Sequence, residues 1–265
     1  MAMKLQVLVS AMNASPQQLI RSMNLQTDAV IINQCDKNAV RIIRHNGHEI
    51  KFISMAERGV GKSRNAALKE STADIVLFAD DDVTYSDNYG SEVVSEFEQH
   101  PEADMIIFNI TSLNPKRPSP MNKTWHRIRW YNGLRYPAYR LAVRRNVLMQ
   151  KNITFSLLFG GGAKYMSGED SLFIHQCRKA GMRIYASSKT IGTVAHKEST
   201  WFKGYTKQYF YDRGALYKAL YPYTYAFFLF ILLVRKYKVF SLRRRFIQMY
   251  LESLRGASAY AKEEP

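Results

Sequence analysis

Three consecutive carboxylates, Asp80-Asp81-Asp82, stand directly after the apolar run 75–79. Carboxylates packed this closely repel one another, so such a run is tolerated where water solvates it or a cation neutralises it. Mg²⁺ and Mn²⁺ take hard oxygen ligands and keep positions open for water and phosphate. A cation held there would bridge the chain to a diphosphate and neutralise the charge that develops on a leaving group. An acidic turn whose Asp side chains cap backbone N–H groups is the structural alternative. A second acidic pair, Glu169-Asp170, follows a glycine cluster at 160–162 and opens a helix-compatible stretch that runs to about Ala180. Ser167 or Gly168 could cap that helix, and acids in a first turn suit its dipole. The same carboxylates could serve as a general base.

A rival motif precedes the triplet. Residues 56–63, AERGVGKS, satisfy a loose phosphate-loop pattern between a strand and a helix. Asp80 would then be the Mg²⁺-holding aspartate of a nucleotide hydrolase. Against this, Ala56 replaces the glycine at the tight turn, and the next strand begins about a dozen residues on. The motif also leaves the Glu169-Asp170 segment and the basic C-terminal region without a role.

These residues need elements to carry them. Apolar runs at 5–9, 29–32, 50–54, 75–79 and 105–110 read as buried strands, with helix candidates near 16–24, 62–71 and 87–99. Such alternation predicts an α/β fold with a mostly parallel sheet flanked by helices. Ligands bind beyond the carboxyl ends of strands in sheets of this type, which is where the acidic triplet falls. Regular pattern stops at 112–135, a stretch rich in Pro, basic and aromatic residues, and returns near 139–143. Long irregular insertions in compact domains are usually functional. Ile191–Ala195 reads as another strand, and after His196 the chain reads as helical, tyrosine-rich and basic.

Composition narrows the class. The 265 residues are 46% hydrophobic, which excludes a disordered chain, and carry a formal net charge of +16. A balance this basic implies a polyanionic partner: nucleic acid, an anionic membrane or a phosphorylated substrate. Cys35 and Cys177 fit no metal-ligand spacing and read as reduced thiols of a cytosolic protein. No secretory signal is legible at the start. The segment 221–234, YPYTYAFFLFILLV, is too short to span a bilayer. Arg235, Lys236, Lys238 and Arg243-Arg244-Arg245 follow it, which suits docking in the plane of an anionic leaflet. A helix packed on the main domain, with a solvated basic face after it, is the alternative.

Three segments together resemble family 2 glycosyltransferases, in that family's order and near its spacing. VLFADDDVTY resembles the strand and D-x-D motif, GVGKSRNAALKESTADI the glycine- and Arg-Asn-containing lead into it, and GEDSLF the later acidic motif. The resemblance spans about 4–215. It implies a GT-A (Rossmann-like) fold and transfer of a sugar from a nucleotide-sugar donor with inversion. It implies Asp170 as the base that deprotonates the acceptor hydroxyl, with Glu169 orienting the acceptor. Asp80, Asp82 and His196 would hold Mn²⁺ or Mg²⁺. Ser10, Ala11 and Asn33 would hold the base of the nucleotide, with Lys62, Arg64, Asp80 and Asp81 completing donor binding. Asn33 stands where paired acids are common, and its amide can both accept from and donate to a uracil. Arg64 has a local salt bridge as its alternative role. Gly161 and Gly162 would let the backbone approach the donor sugar. Arg213 would clamp the diphosphate, or else lie on a solvated helix face. Trp125, Trp130 and Tyr131 are the acceptor candidates, since aromatic faces stack on sugars.

The expected protein has a catalytic domain at 1–198, divided into a nucleotide-sugar half at 1–110 and an acceptor half at 111–198. A basic, aromatic, membrane-associating helical extension follows at 199–265. It would move a sugar, from UDP in the first instance, to a lipid-diphosphate-linked saccharide in bacterial capsule, exopolysaccharide or lipopolysaccharide synthesis. The place of work is the cytoplasmic face of the inner membrane, held peripherally, with no nucleic-acid partner. Two rival functions stand beside the nucleotide hydrolase: a sugar nucleotidyltransferase and a non-enzymatic nucleic-acid-binding protein. The nucleic-acid reading fails to explain why acids gather at two element ends.

Overall fold

In the computed structural model, residues 3–196, 204–236 and 243–263 are described. The basic residue Lys238 lies outside them. The five apolar runs form strands: β1 (Leu5–Met12), β2 (Asp28–Gln34), β4 (His48–Met55), β5 (Ile75–Asp80) and β7 (Met105–Ser112). The runs of β1, β2, β5 and β7 are buried on both faces because helices cover both sides of the sheet there, while β4 alternates buried and partly exposed residues. Val7 and Val9 of β1 point with Ile106 and Phe108 of β7 into one core, which holds α1 (Pro16–Ser22) and α3 (Tyr89–Gln99). Leu8, Val76, Phe78 and Ile107 point into the other, with α2 (Val60–Glu70), α4 (Arg145–Gln150) and α5 (Glu169–Lys179). The period-2 alternation of side chains makes one strand serve both cores.

In space the strands run in the order β3 (Ala39–His45), β4, β2, β1, β5, β9 (Leu141–Arg144), β7, β10 (Ile184–Val194), β6 (Val83–Tyr85). β8 (His126–Arg127) pairs with β10 off this path. Pairing is parallel through β4, β2, β1 and β5, and again between β7 and β10. The short β9 runs antiparallel to both β5 and β7 and joins the two parallel blocks. Strand β1 is flanked by β2 on one side and β5 on the other, so the chain order reverses there. That reversal opens a crevice beyond the strand ends.

Three strands, β3, β6 and the two-residue β8, lie where the alternation predicts none. β3 pairs antiparallel with β4 across a turn in which Asn46 and Gly47 both have positive φ, 50° and 84°. A two-residue turn of that kind matches strand twist. β3 is an edge strand with little burial, so no apolar run marks it. β6 is only three residues long and pairs with β10.

After Thr206, α6 (Lys207–Leu220), α7 (Tyr225–Arg235) and α8 (Arg243–Ala261) complete the described chain. They share a core with the main domain: Phe159, Tyr165 and Leu172 cluster with Ala215, Leu216 and Tyr260. No helix among the described residues is long and apolar enough to cross a membrane. α6 and α8 cross backbone to backbone. A Cβ on Gly214 would overlap the Ser253 carbonyl oxygen, and one on Gly256 would overlap the Tyr211 carbonyl oxygen. Gly214→Ala should therefore force the helices apart and cost about 2 kcal/mol or more. In a chain of this size that lowers the melting temperature by about 5 °C. A melt within a degree of wild type would show that the helices do not cross as described.

Candidate active site

A cleft of about 1150 Å³ opens at the strand-order reversal. Its floor is one buried arginine. Arg64 exposes 3% of its side chain and donates to Asp170 at 2.7 Å, to Asp80 at 2.9 Å and to Glu169 at 3.5 Å. Its guanidinium lies 5.2 Å from the centroid of the Phe155 ring. Phe155 stacks on Phe173 at 4.0 Å and meets the edge of Phe78 at 5.1 Å. Phe78 lies two residues before Asp80 on β5, and Phe173 three residues after Asp170 on α5. Each element thus places a ring beneath the arginine and a carboxylate beside it. Asn65 fixes the arrangement by exchanging two hydrogen bonds with the Phe155 backbone, at 2.8 and 2.9 Å.

Burial alone would lower the basicity of Arg64, but Asp170, Asp80 and Glu169 together hold it above its ordinary value. The carboxylates bear the converse strain. Burial pushes Asp170 up to about 7, and Glu169 and Asp80 add to the rise against the pull of Arg64. One positive charge faces three negative ones in a low-dielectric setting, so Asp170 holds a proton more readily than a free carboxylate and releases it near neutral pH. A group of that kind can take a proton from a hydroxyl and return it to water.

Around this floor the nucleotide end is formed by β1, β2 and the loop before α2. Ser10, Ala11, Asp80, Asp81, Gly161, Gly162, His196 and Arg213 of the expected site residues line the cleft together with Arg64, Glu169 and Asp170. Ser10 Oγ accepts from Ser63 Oγ at 2.9 Å. Asp81 accepts from the Met12 N–H at 3.3 Å. The Gly161 carbonyl accepts from Val60 N–H at 3.0 Å, and Gly162, with φ of 80°, packs on Gly59. Gly160 has φ of 107°, and a Cβ there would press on the Glu169 carboxyl. The glycine cluster is what lets this loop sit on both α2 and α5.

Other expected residues stand elsewhere. Asn33 is buried off the cleft, and its amide oxygen is committed to the Ala14 N–H at 2.8 Å. Lys62 pairs with Glu57 at 3.4 Å outside the cleft lining. Trp125 is packed between His100 and Tyr185, with centroids at 3.7 and 5.0 Å, so it belongs to the core of that side. Trp130 and Tyr131 are exposed, edge to face with each other, and do not line the cleft. The insertion reaches the cleft through Arg117 and Arg135, and the segment just after it through Tyr136, Tyr139 and Arg140, none of them singled out in the sequence. Gln34 was likewise missed. It accepts from the Gly59 N–H at 2.7 Å and lines the nucleotide end. That bond, with Gly161 on Val60, occupies the backbone donors a phosphate loop would need. Gly61 packs against the Ser156 carbonyl instead of facing a ligand.

Among the described residues no three His, Cys, Asp or Glu side chains converge as a ready metal cage. Asp82 and His196 are nevertheless neighbours in the sheet, because Ala195 N–H donates to the Asp82 carbonyl at 3.0 Å. Asp82 itself does not line the cleft. His196 has φ of 46° at the end of β10, and burial, then Arg117, hold its imidazole below the ordinary value against Asp80. Carboxylates with one neutral imidazole suit Mn²⁺ or Mg²⁺ when phosphate oxygens complete the shell. Of the expected ligands Asp80 and His196 lie on the cleft, where an ion would take its remaining ligands from a diphosphate.

Residues 13–155 match the family model described as glycosyl transferase family 2. That is more than half of the chain, and the chain belongs to this family of sugar-transferring enzymes. No curated protein sequence matches it. Among solved structures, S. aureus TarS 1–349 in complex with UDP-GlcNAc is similar at 17% identity, covering 99% of this chain and 82% of that one with a TM-score of 0.67. TarS 1–349 in complex with UDP is similar at 18% identity over 90% and 73%, with a TM-score of 0.60. The mannosyltransferase PcManGT from Pyrobaculum calidifontis, in complex with GDP-Man and Mn²⁺, is similar at 13% identity over 100% and 89%, with a TM-score of 0.54. At these identities the likeness is one of fold.

Arg64→Met should leave three carboxylates facing one another without their cation. Breaking a buried ion cluster from one side costs about 3 kcal/mol or more. In the variant Asp170 loses the pull of Arg64 and its pKa rises further above its unfolded value, so the variant's stability should recover as pH falls from 8 to 5. Denaturant melts across that range check this. A variant as stable as wild type at pH 8 would show that the cluster carries no such constraint.

Proposed function

We propose that this enzyme transfers one sugar, with inversion, from a nucleoside diphosphate donor to a lipid-linked saccharide. The observation that carries the reading is the Arg64 cluster. It sets a carboxyl near neutral pKa, Asp170, beside a cleft whose far side is built from strand ends and glycine backbone. Asp170 takes the proton of the acceptor hydroxyl as that oxygen attacks the anomeric carbon. Glu169, which also accepts from the Gly168 N–H at 3.0 Å, holds the start of α5 and the acceptor beside it. Attack opposite the leaving diphosphate inverts the anomeric centre. Mn²⁺ or Mg²⁺ at Asp80, Asp82 and His196 would supply charge neutralisation for that leaving group. Uridine is the preferred base, in keeping with the UDP and UDP-GlcNAc complexes of TarS, and the Mn²⁺ complex of PcManGT supports the metal.

The same proposal takes residues 1–198 as the catalytic domain and 199–265 as an extension that rests on the cytoplasmic surface of a bacterial membrane during surface-polysaccharide synthesis. Phe227, Phe230 and Val234 follow one another at helical spacing on α7 and are 62%, 48% and 50% exposed. Ile247 and Leu251 expose an apolar face on α8, and Phe230 meets Phe246 and Tyr250 between the two helices. Arg235, Lys236 and Arg245 border this face, so an anionic bilayer complements both its apolar and its charged parts.

Calorimetric titration with UDP, GDP and dTDP, each with Mn²⁺ and with EDTA, tests the donor site. Metal-dependent binding of one nucleotide, lost in Asp82→Ala, is expected; binding indifferent to metal would refute the donor assignment. Asp170→Asn should keep that binding and lower kcat about 10²- to 10⁴-fold. Wild-type kcat should fall as pH drops through about 7, because the base must be ionised. Unchanged transfer by Asp170→Asn would remove Asp170 as the base. Flotation with vesicles of phosphatidylglycerol should capture the protein, and phosphatidylcholine vesicles should not. Phe227→Ser with Phe230→Ser should release it; equal capture of the double variant would dismiss α7 as the docking face.

A further inference from the structure

Six arginines line the cleft, and they divide into two groups. Arg58 pairs with Asp36 at 2.8 Å, and Arg64 with its three carboxylates. Arg140 spends its donors on the Phe108 and Pro120 carbonyls and the Asn109 amide, at 2.6, 2.8 and 2.7 Å. Arg117, Arg135 and Arg213 have no ion-pair partner among the described residues. Arg117 stands beside His196, on the side of the proposed metal.

Arg135 and Arg213 line the same cleft as Asp170. Asp170 accepts from the backbone of Ala138, and Ser171 Oγ donates to the Leu134 carbonyl at 2.9 Å, so the segment 134–138 wraps the start of α5. Leu134 packs in the cluster that contains Leu216, and Leu216 lies against Gly168. Arg213 precedes Leu216 by about one turn on the same face of α6. Both guanidinium groups are held by aromatic faces. Arg135 lies 5.0 Å from the Tyr136 centroid and donates to its hydroxyl at 3.0 Å, and Arg213 lies 5.1 Å from the Tyr209 centroid. Asp212, next to Arg213, accepts from Met166 N–H and from Gln208 and forms no close ion pair with the arginine, although it feels its charge.

Neither guanidinium is spent on a close ion pair among the described residues, and planar forks of this kind match the oxygens of a phosphate. We propose that Arg135 and Arg213 form a phosphate subsite that selects acceptors carrying a phosphate close to the hydroxyl that receives the sugar. The proposal rests on the transferase reading, because Asp170 marks where that hydroxyl arrives. The phosphate comes from the diphosphate of a lipid carrier or from a phosphodiester of a polymer, and the two sources present the same oxygens.

The test titrates the protein, loaded with UDP and Mn²⁺, with farnesyl diphosphate and with a glycerol-phosphate trimer. Farnesol and glycerol are the neutral counterparts. At least one phosphate compound should bind, more weakly as salt rises, and its neutral counterpart should not; the tighter of the two identifies the source. Arg135→Gln and Arg213→Gln should each weaken that binding about tenfold, as loss of one charge-assisted contact does. Arg135→Lys should restore only part of it, since it returns the charge without the fork. Phosphate compounds that bind no better than their neutral counterparts, or glutamine variants that bind as wild type, would overturn the subsite. Failure of UDP to bind would sink the transferase reading instead, and the same titration of unloaded protein would still decide on the arginine pair.

Discussion

A single buried guanidinium orders this enzyme's cleft. Arg64 has no water to solvate it, so its charge must be met by protein, and two elements supply carboxylates at once: β5 with Asp80 and the first turn of α5 with Glu169 and Asp170. The aromatic floor of Phe78, Phe155 and Phe173 fixes the height of the guanidinium above the core. Burial raises Asp170 to a pKa suited to proton transfer near neutrality, and the neighbouring carboxylates Glu169 and Asp80 add to that rise against the pull of Arg64.

The opposite wall depends on a second buried arginine with no carboxylate near it. Arg140 is 1% exposed, and its charge is met by carbonyl and amide oxygens alone, which burial makes less favourable for the charged form. Asn109 and Asn122 extend the network. Asn122 N–H donates to Asn109 at 2.8 Å, and Tyr136 OH donates to Asn122 at 2.7 Å. A polar network of this kind tolerates little rearrangement, since any broken member is left unsatisfied. It converts the irregular stretch 112–135 into a fixed surface and aims Arg135 and Tyr136 at the cleft.

The C-terminal helices complete that surface. Contact of α6 with α8 through Gly214 and Gly256 accompanies contact of Leu216 with Gly168, and Arg213, about one turn earlier on α6, lines the cleft. Packing runs on across the change of composition after 198, with Tyr260 in the same cluster as Phe159 and Tyr165.

Strands, helices and both acidic motifs were legible in the sequence because local pattern carries them: apolar runs buried on both faces, and charged residues at their ends. The resemblance to family 2 glycosyltransferases rested on three such local segments, and the family model confirms it. Edge strand β3 was not legible, since an edge needs no apolar run. The acceptor wall was not legible either. Trp125, one of three aromatic acceptor candidates, packs partly buried against the core between His100 and Tyr185, while Arg135 and Arg140, unremarkable in a basic stretch, are set on the cleft. Sequence by itself determined which groups exist and which elements bear them. Only the tertiary structure decided which charges meet, because Arg64 and Asp170 are 106 residues apart, and their pairing depends on how β5, α2 and α5 pack.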